Sequence, residues 1–244
     1  MKKIRKILSS TLCFAFLLSI LNASFVFAET PDEKAILSQT EQSAIANNST
    51  YIETSYQSLL DEAIDNEAPI YDQQVLEAAG TDDTMQVSTY KIQDEVIAID
   101  TESNSKLHAL SYASVISPFR AGGHKYEEGS DGAYAVKAYS TLYYTTKDHS
   151  GVTMYCLTQV TGGYTKIVGV SVVSQTVAYG MSGIGVNVPV NLNGTKYPSG
   201  TTFSYYTGFN SYVTTAAASY IGCGYTLNIR RGTGTYTFTL NNDL

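Results

Sequence analysis

Catalysis needs acids, bases, nucleophiles or metal ligands held close together, and few side chains in this sequence qualify. After residue 110 the carboxylates are Glu127, Glu128, Asp131, Asp148 and Asp243. A glycosidase needs two of them facing each other across a sugar. Three, however, share one stretch, His124-Lys125-Tyr126-Glu127-Glu128-Gly129-Ser130-Asp131. Neighbouring acids in such a stretch suit a solvated turn. Alternatively, Glu127, Glu128 and Asp131 hold a calcium ion, with backbone carbonyls completing its roughly six to eight oxygens. Their spacing fits no EF-hand loop. Cysteine–histidine catalysis would pair Cys156 with His149 or His124, and it requires an exposed thiol of depressed pKa. Serine and threonine abound, but none stands in a G-x-S-x-G turn. No catalytic residue and no cofactor is assigned, and the sequence favours a non-enzymatic protein.

Tyrosine is the more informative surplus, with 20 residues, 16 of them after residue 110. Tyr143-Tyr144 and Tyr205-Tyr206 are adjacent in strand-like segments, so one of each pair should face water. Tyr139 and Tyr155 fall on the wet parity as well. Phenol faces with polar tips suit sugar rings and peptide surfaces, while their plainer use is cross-strand pairing. The expected ligand-facing residues are Tyr139, Tyr143, Tyr155 and Tyr205, and the expected partner is a cell-wall glycan or an extracellular protein.

Strands must position these side chains. Period-two alternation marks 134–144, 184–192, 225–230 and 235–240, the last two joined by the Arg231-Gly232-Thr233-Gly234 turn. Further strands are expected at 152–160, 164–168, 170–179 and 202–213. Asp148-His149-Ser150-Gly151, Gly162-Gly163, Ser182-Gly183, Asn193-Gly194 and Pro198-Ser199-Gly200 read as separators. Pro189 cannot donate to a ladder, so its strand belongs at an edge or a bulge. About eight short strands in residues 132–244 predict an antiparallel β-sandwich. It is immunoglobulin-like only in architecture, because the chain has no tryptophan. Cys156 and Cys223 both share parity with apolar neighbours and should point inward. A bridge between them would close a loop of 67 residues, worth on the order of 4 kcal/mol in the chain-entropy model.

The front of the chain reads differently. Met1 to Lys6 carries four cations, an apolar run follows, and Val26-Phe27-Ala28 ends it. That is the layout of a signal peptide over residues 1–28, cleaved after Ala28 and leading to secretion. Cys13 follows Leu12 rather than a small residue, which argues against a lipoprotein. After the signal no segment is long and apolar enough to span a membrane. Residues 29–110 hold 17 acids and three lysines, a net of −14, whereas 111–244 stand at +3. No dense basic patch offers itself to nucleic acid. Thr30-Pro31-Asp32-Glu33 and Thr50-Tyr51-Ile52-Glu53 resemble capping boxes. Ile52, Tyr56, Leu59, Leu60, Ala63 and Ile64 form an apolar stripe at helical spacing. Helices are expected at 31–46 and 51–65, with a weaker one at 70–79. Residues 29–100 thus read as an acidic, mainly helical segment, and 101–131 as a linker. The segment either packs on the β domain or serves as a pro-region that restrains a secreted antagonist, bacteriocin-like or pore-forming.

Overall fold

The computed structural model of the protein describes residues 49–100, 103–119, 135–166, 169–186, 188–215 and 219–244. The expected signal peptide, the helix at 31–46 and the acidic stretch with Glu127, Glu128 and Asp131 lie outside them.

One helix and ten strands make up the described residues. Helix α1 (Ser49–Asp65) is followed by β1 (Asp72–Glu77), β2 (Thr84–Asp100), β3 (Ser105–Phe119), β4 (Val136–His149) and β5 (Val152–Lys166). Then come β6 (Ser171–Ile184), β7 (Pro189–Lys196), β8 (Thr202–Tyr206), β9 (Tyr220–Arg231) and β10 (Gly234–Asp243). They form two antiparallel sheets, ordered β1-β2-β3-β4-β5-β8 and β10-β9-β6-β7. One apolar core draws on both: Leu110, Leu142, Leu157 and Val160 from the larger, and Val177, Met181, Tyr225, Leu227 and Phe238 from the smaller. A polar cross-link joins the layers, as the buried Asn242 side chain of β10 donates to the carbonyls of Leu110 (3.1 Å) and Ser140 (2.9 Å).

The sequence reading holds best at two hairpins. Between β4 and β5 the register closes at His149–Val152, leaving a two-residue loop, Ser150-Gly151, with φ of 55° and 80°. Both values are positive, as a primed hairpin turn requires, and Asp148 Oδ1 accepts the Gly151 amide at 2.9 Å. In the β9–β10 hairpin, Tyr236, Phe238 and Leu240 pair with Ile229, Leu227 and Tyr225, and all six are buried. Pro189 opens β7, which is an edge strand, as its missing N–H demands.

Three readings need correction. First, residues 72–77, 84–100 and 105–119 are strand rather than helix and linker. The weak helix expected at 70–79 is replaced by β1, which pairs with β2 from Asp72–Thr89 to Glu77–Thr84. Sheet pairing overrides the helix-favouring Gln-Gln-Val-Leu-Glu composition. The expected linker contains β3, an inner strand. Its small residues Ala109, Ser111, Ala113 and Ser114 are buried, and they lack the β-branched signature of a strand. Secondly, three glycine pairs read as separators lie inside strands. Gly162-Gly163 sits within one continuous β5, because a Cβ on Gly162 would stand 2.5 Å from the Tyr139 carbonyl and 2.6 Å from the Phe203 ring. Gly194 lies within β7 under the Tyr179 ring, where a Cβ would come to 2.6 Å. Ser182-Gly183 lies within β6. At Gly162 and Gly194 glycine marks close approach of a ring, not a turn. The real turn falls inside the strand expected at 184–192, closed by Gly185 N–H to the Val188 carbonyl at 2.8 Å.

The third correction concerns sulfur. Cys156 and Cys223 are both buried, as the alternation implied, but they are free thiols. Cys156 lies opposite Thr145 on β4, whereas Ser140 on the same strand hydrogen-bonds the Cys223 thiol. Those β4 positions are about 16 Å apart at the strand rise, and a disulfide needs Cα atoms within about 7 Å. Shared parity does not supply a shared height.

Helix α1 covers part of the larger sheet. Its Tyr56 and Leu60, with Ala63 and Ile64, pack on Tyr90, Ala113, Val115 and Tyr139. The Tyr56 and Tyr139 rings stack with centroids 3.7 Å apart. The helix ends in a Schellman motif. Ala68 N–H reaches the Ala63 carbonyl at 2.8 Å and Glu67 N–H the Ile64 carbonyl at 3.0 Å, with Glu67 at φ 51°. Pro69 follows directly and prevents continuation.

Candidate functional site

The structure sets the expected ligand-facing tyrosines in buried and half-buried packing. Tyr139, expected to be wet, is buried under α1, because the larger sheet is covered on both faces. Tyr143 is half-buried, and burial pushes its phenol up to about 12. Tyr155 is half-buried against Tyr144, and its N–H and C=O pair with Val213. Tyr205 is half-buried and stacks on Phe203 at 5.7 Å. Tyr155 thus packs across strands on Tyr144, and Tyr205 packs along its own strand on Phe203.

Reactive chemistry finds no assembled set among the described residues. No three His, Cys, Asp or Glu side chains come together there as a metal site. Burial pushes the Cys156 thiol up to about 11, against a lowering by Lys147, and the Cys223 thiol up to about 12, against the Ser140 hydrogen bond. A nucleophilic cysteine needs the opposite shift. His108 stacks on Tyr144 at 4.7 Å, and its Nε2 lies 3.0 Å from Thr146 Oγ1. Asp148 caps its own hairpin, and His149 ends β4 beside it.

What stands out is apolar and exposed. At one end of the smaller sheet, Ile184, Val186 and Val188 are 63%, 44% and 57% exposed, with Tyr220 at 45% and Leu244 at 40%. Register places them at the same end of the sheet. Ser182 pairs with Tyr220, Ile184 with Pro189, and Leu244 N–H bonds the Ile221 carbonyl. The β6–β7 tip is braced from behind, since Thr214 N–H donates to the Ile184 carbonyl at 3.0 Å. Val190 Cγ2 and the Tyr212 carbonyl crowd Gly185, each within about 3.1 Å of where a Cβ would stand.

A sequence signal for this surface exists in the charge pattern. Between Lys166 and Arg230 only Lys196 is charged. Lys196 pairs with Val177, at the far end of the hairpin from Ile184. A soluble β domain ordinarily lines its wet face with charge, and this run of the chain carries almost none. The chain matches no family model, no curated protein and no solved structure. No described helix is long and apolar enough to cross a membrane.

Proposed function

We propose that this is a secreted, non-enzymatic protein, freed of residues 1–28 by cleavage after Ala28, that attaches to an extracellular surface. Its two sheets then form a β-sandwich of immunoglobulin-like architecture, whose job is to present one end. The observation that carries the reading is the exposure of Ile184, Val186 and Val188 at the tip of a braced hairpin, with Tyr220 and Leu244 exposed at the same end of the sheet. Exposed apolar side chains gathered at one end of a small protein are a candidate interaction site. Export rests on the basic, apolar and small-residue order of the first 28 residues.

The test is fractionation with N-terminal sequencing, run on the natural chain and on Ile184→Asp/Val188→Asp. The natural chain should begin at Glu29 and sediment with cell envelopes, and the double variant should stay in the medium. Equal distribution of the two would overturn the reading.

A second reading, an antagonist restrained by its acidic front, draws support from α1. Lys137 Nζ of β4 binds Asp61 Oδ1 at 3.1 Å, an acid of the front half on a base of the back half. Any release must be confined to residues before β1, because β1 to β3 are strands of the larger sheet. Cutting within the exposed stretch Glu67–Tyr71 would free α1 and leave both sheets whole.

A further inference from the structure

We infer that helix α1 is an exchangeable element: a second copy of this chain takes it into the same groove, and two copies swap helices to form a dimer. The inference stands apart from the surface-attachment reading. It rests on the seat of α1, the link from α1 to β1, and the strand that follows the link.

The seat fits this helix. Tyr56 and Leu60 are both buried there, packed with Tyr90, Ala113, Val115 and Tyr139, and the Tyr56 ring stacks on that of Tyr139. Those four sheet residues lie on β2, β3 and β4, all beyond the link in sequence. The same is true of Lys137, which meets Asp61. The α1 of a second copy therefore finds the same rings and the same lysine, and exchange conserves the contacts of the closed form. That is how a swapped homodimer arises at low cost.

What favours the open form is the link. Helix α1 ends at Asp65 and β1 begins at Asp72, so only Asn66 to Tyr71 join them. To reverse the chain, Glu67 holds φ at 51°. Glycine takes that conformation freely, whereas a side chain there crowds the following carbonyl oxygen. Pro69 adds to this by biasing Ala68 toward an extended backbone. Straightening the link relieves Glu67 in both copies and carries α1 outward. Short links under strain invite this exchange. A link of this length reaches at most about 20 Å, so the partner must lie against the start of β1. There Ile70, Tyr71 and Val75 are 44%, 57% and 60% exposed, on and beside an edge strand of the larger sheet. Where the two links pass, these side chains gain a contact that the monomer does not give them.

Asp61 and Lys137 report whose helix sits in the groove. Their Oδ1 and Nζ are 3.1 Å apart, close enough for a carbodiimide to join them as an amide. Unlabelled and isotope-labelled protein are mixed at high concentration, warmed to loosen α1, cooled, separated by size and cross-linked. The expected result is a dimer fraction that grows with concentration, in which the Asp61–Lys137 cross-link joins a labelled to an unlabelled peptide. In the monomer fraction both peptides should carry the same label. Asp61→Asn should abolish the cross-link in both fractions, which identifies it. Glu67→Gly unstrains the closed link in each copy and should lower the dimerisation constant about tenfold or more. Val75→Asp, at an exposed site, should lower it as well. A chain that stays monomeric at every concentration after warming overturns the proposal. So does a dimer whose cross-links never mix labels, since each α1 would then sit in its own groove. An unchanged dimer fraction in Glu67→Gly overturns it too, because the link would not be what opens.

Discussion

Two hairpins lie side by side in the smaller sheet and are written in the same alternating pattern. In β9–β10 every inward residue from Tyr236 to Leu240 meets the other sheet and is buried, and the hairpin ends in Arg230 and Arg231 around Gly232. In β6–β7 the inner strand is buried on one side, the outer strand is an open edge, and Ile184, Val186 and Val188 stand exposed around the turn. Because β6 pairs antiparallel with β9, Ser171 meets Arg230 at one end and Ser182 meets Tyr220 at the other. The two tips therefore point opposite ways, one charged and one apolar, and the sheet has a wet end and an oily end. Alternation specifies which face of a strand is buried. It does not specify what the turn is for, and charge does.

The contrast is broken or sharpened most strongly by removing bulk from each hairpin. Phe238→Ala should lower unfolding stability by about 3–5 kcal/mol, since the ring is fully buried and leaves a cavity. Val188→Asp, at the bare tip, should change it by less than about 0.5 kcal/mol. Urea titrations followed by circular dichroism measure both. A tip variant as costly as the core variant would mean that the tip is packed, and the asymmetry would be lost.

Next in size is Leu60→Ala on α1. Leu60 is fully buried between the helix and the larger sheet, so the change should cost about 2–5 kcal/mol if helix and sheets unfold together. If α1 is a separable cover, global stability should hold while amide exchange rises in the helix and at Tyr139. That result would add the covered face to the list of apolar surfaces this protein can show.

Much of this was legible in the chain, and the misreadings share physical causes. The inward faces of β4, β9 and β10, the helix over Tyr56–Ile64, the edge position of Pro189 and the burial of both cysteines follow from period and propensity. Gly162 and Gly194 misled because a glycine that admits a ring looks, in one dimension, like a glycine that turns a chain. Strand β3 was hidden because its buried residues are alanine and serine. Tyr139 was misplaced because parity names a face, and only the docking of α1 shows that this face is also dry. The apolar end is hard to read in one dimension because its signal is not a residue but a long interval that carries almost no charge.

Alkaline pH separates the buried strands from the bare tip by a different route. Burial holds the Cys156 and Cys223 thiols protonated up to about 11 and about 12, against an ordinary value of 9.0. The Tyr225 phenol is raised too, by burial first, and donates to Gln175 Oε1 at 2.6 Å. Between the ordinary and the raised values the folded chain keeps protons that the unfolded chain loses. Stability from these groups is therefore complete below about pH 9 and is lost as pH rises through 11 to 12. Thermal midpoints should be flat in that respect up to pH 9 and then fall. The thiols should resist alkylation in the native protein at neutral pH and react once it unfolds.

The smallest effect belongs to the one described charge contact between the acidic front and the mildly basic back. Asp61 is mostly exposed where it meets Lys137, and such a pair contributes about 0.2–1 kcal/mol and weakens in salt. Asp61→Asn should therefore cost less than about 1 kcal/mol in dilute buffer and almost nothing in molar salt, well below Leu60→Ala. That ordering follows if apolar packing by Tyr56 and Leu60 holds α1 in place and the charge split between the halves only orients it. A larger loss for Asp61→Asn, abolished by salt, would make the helix an electrostatic cover. The antagonist reading, in which the acidic front restrains the rest, would then gain on the attachment reading.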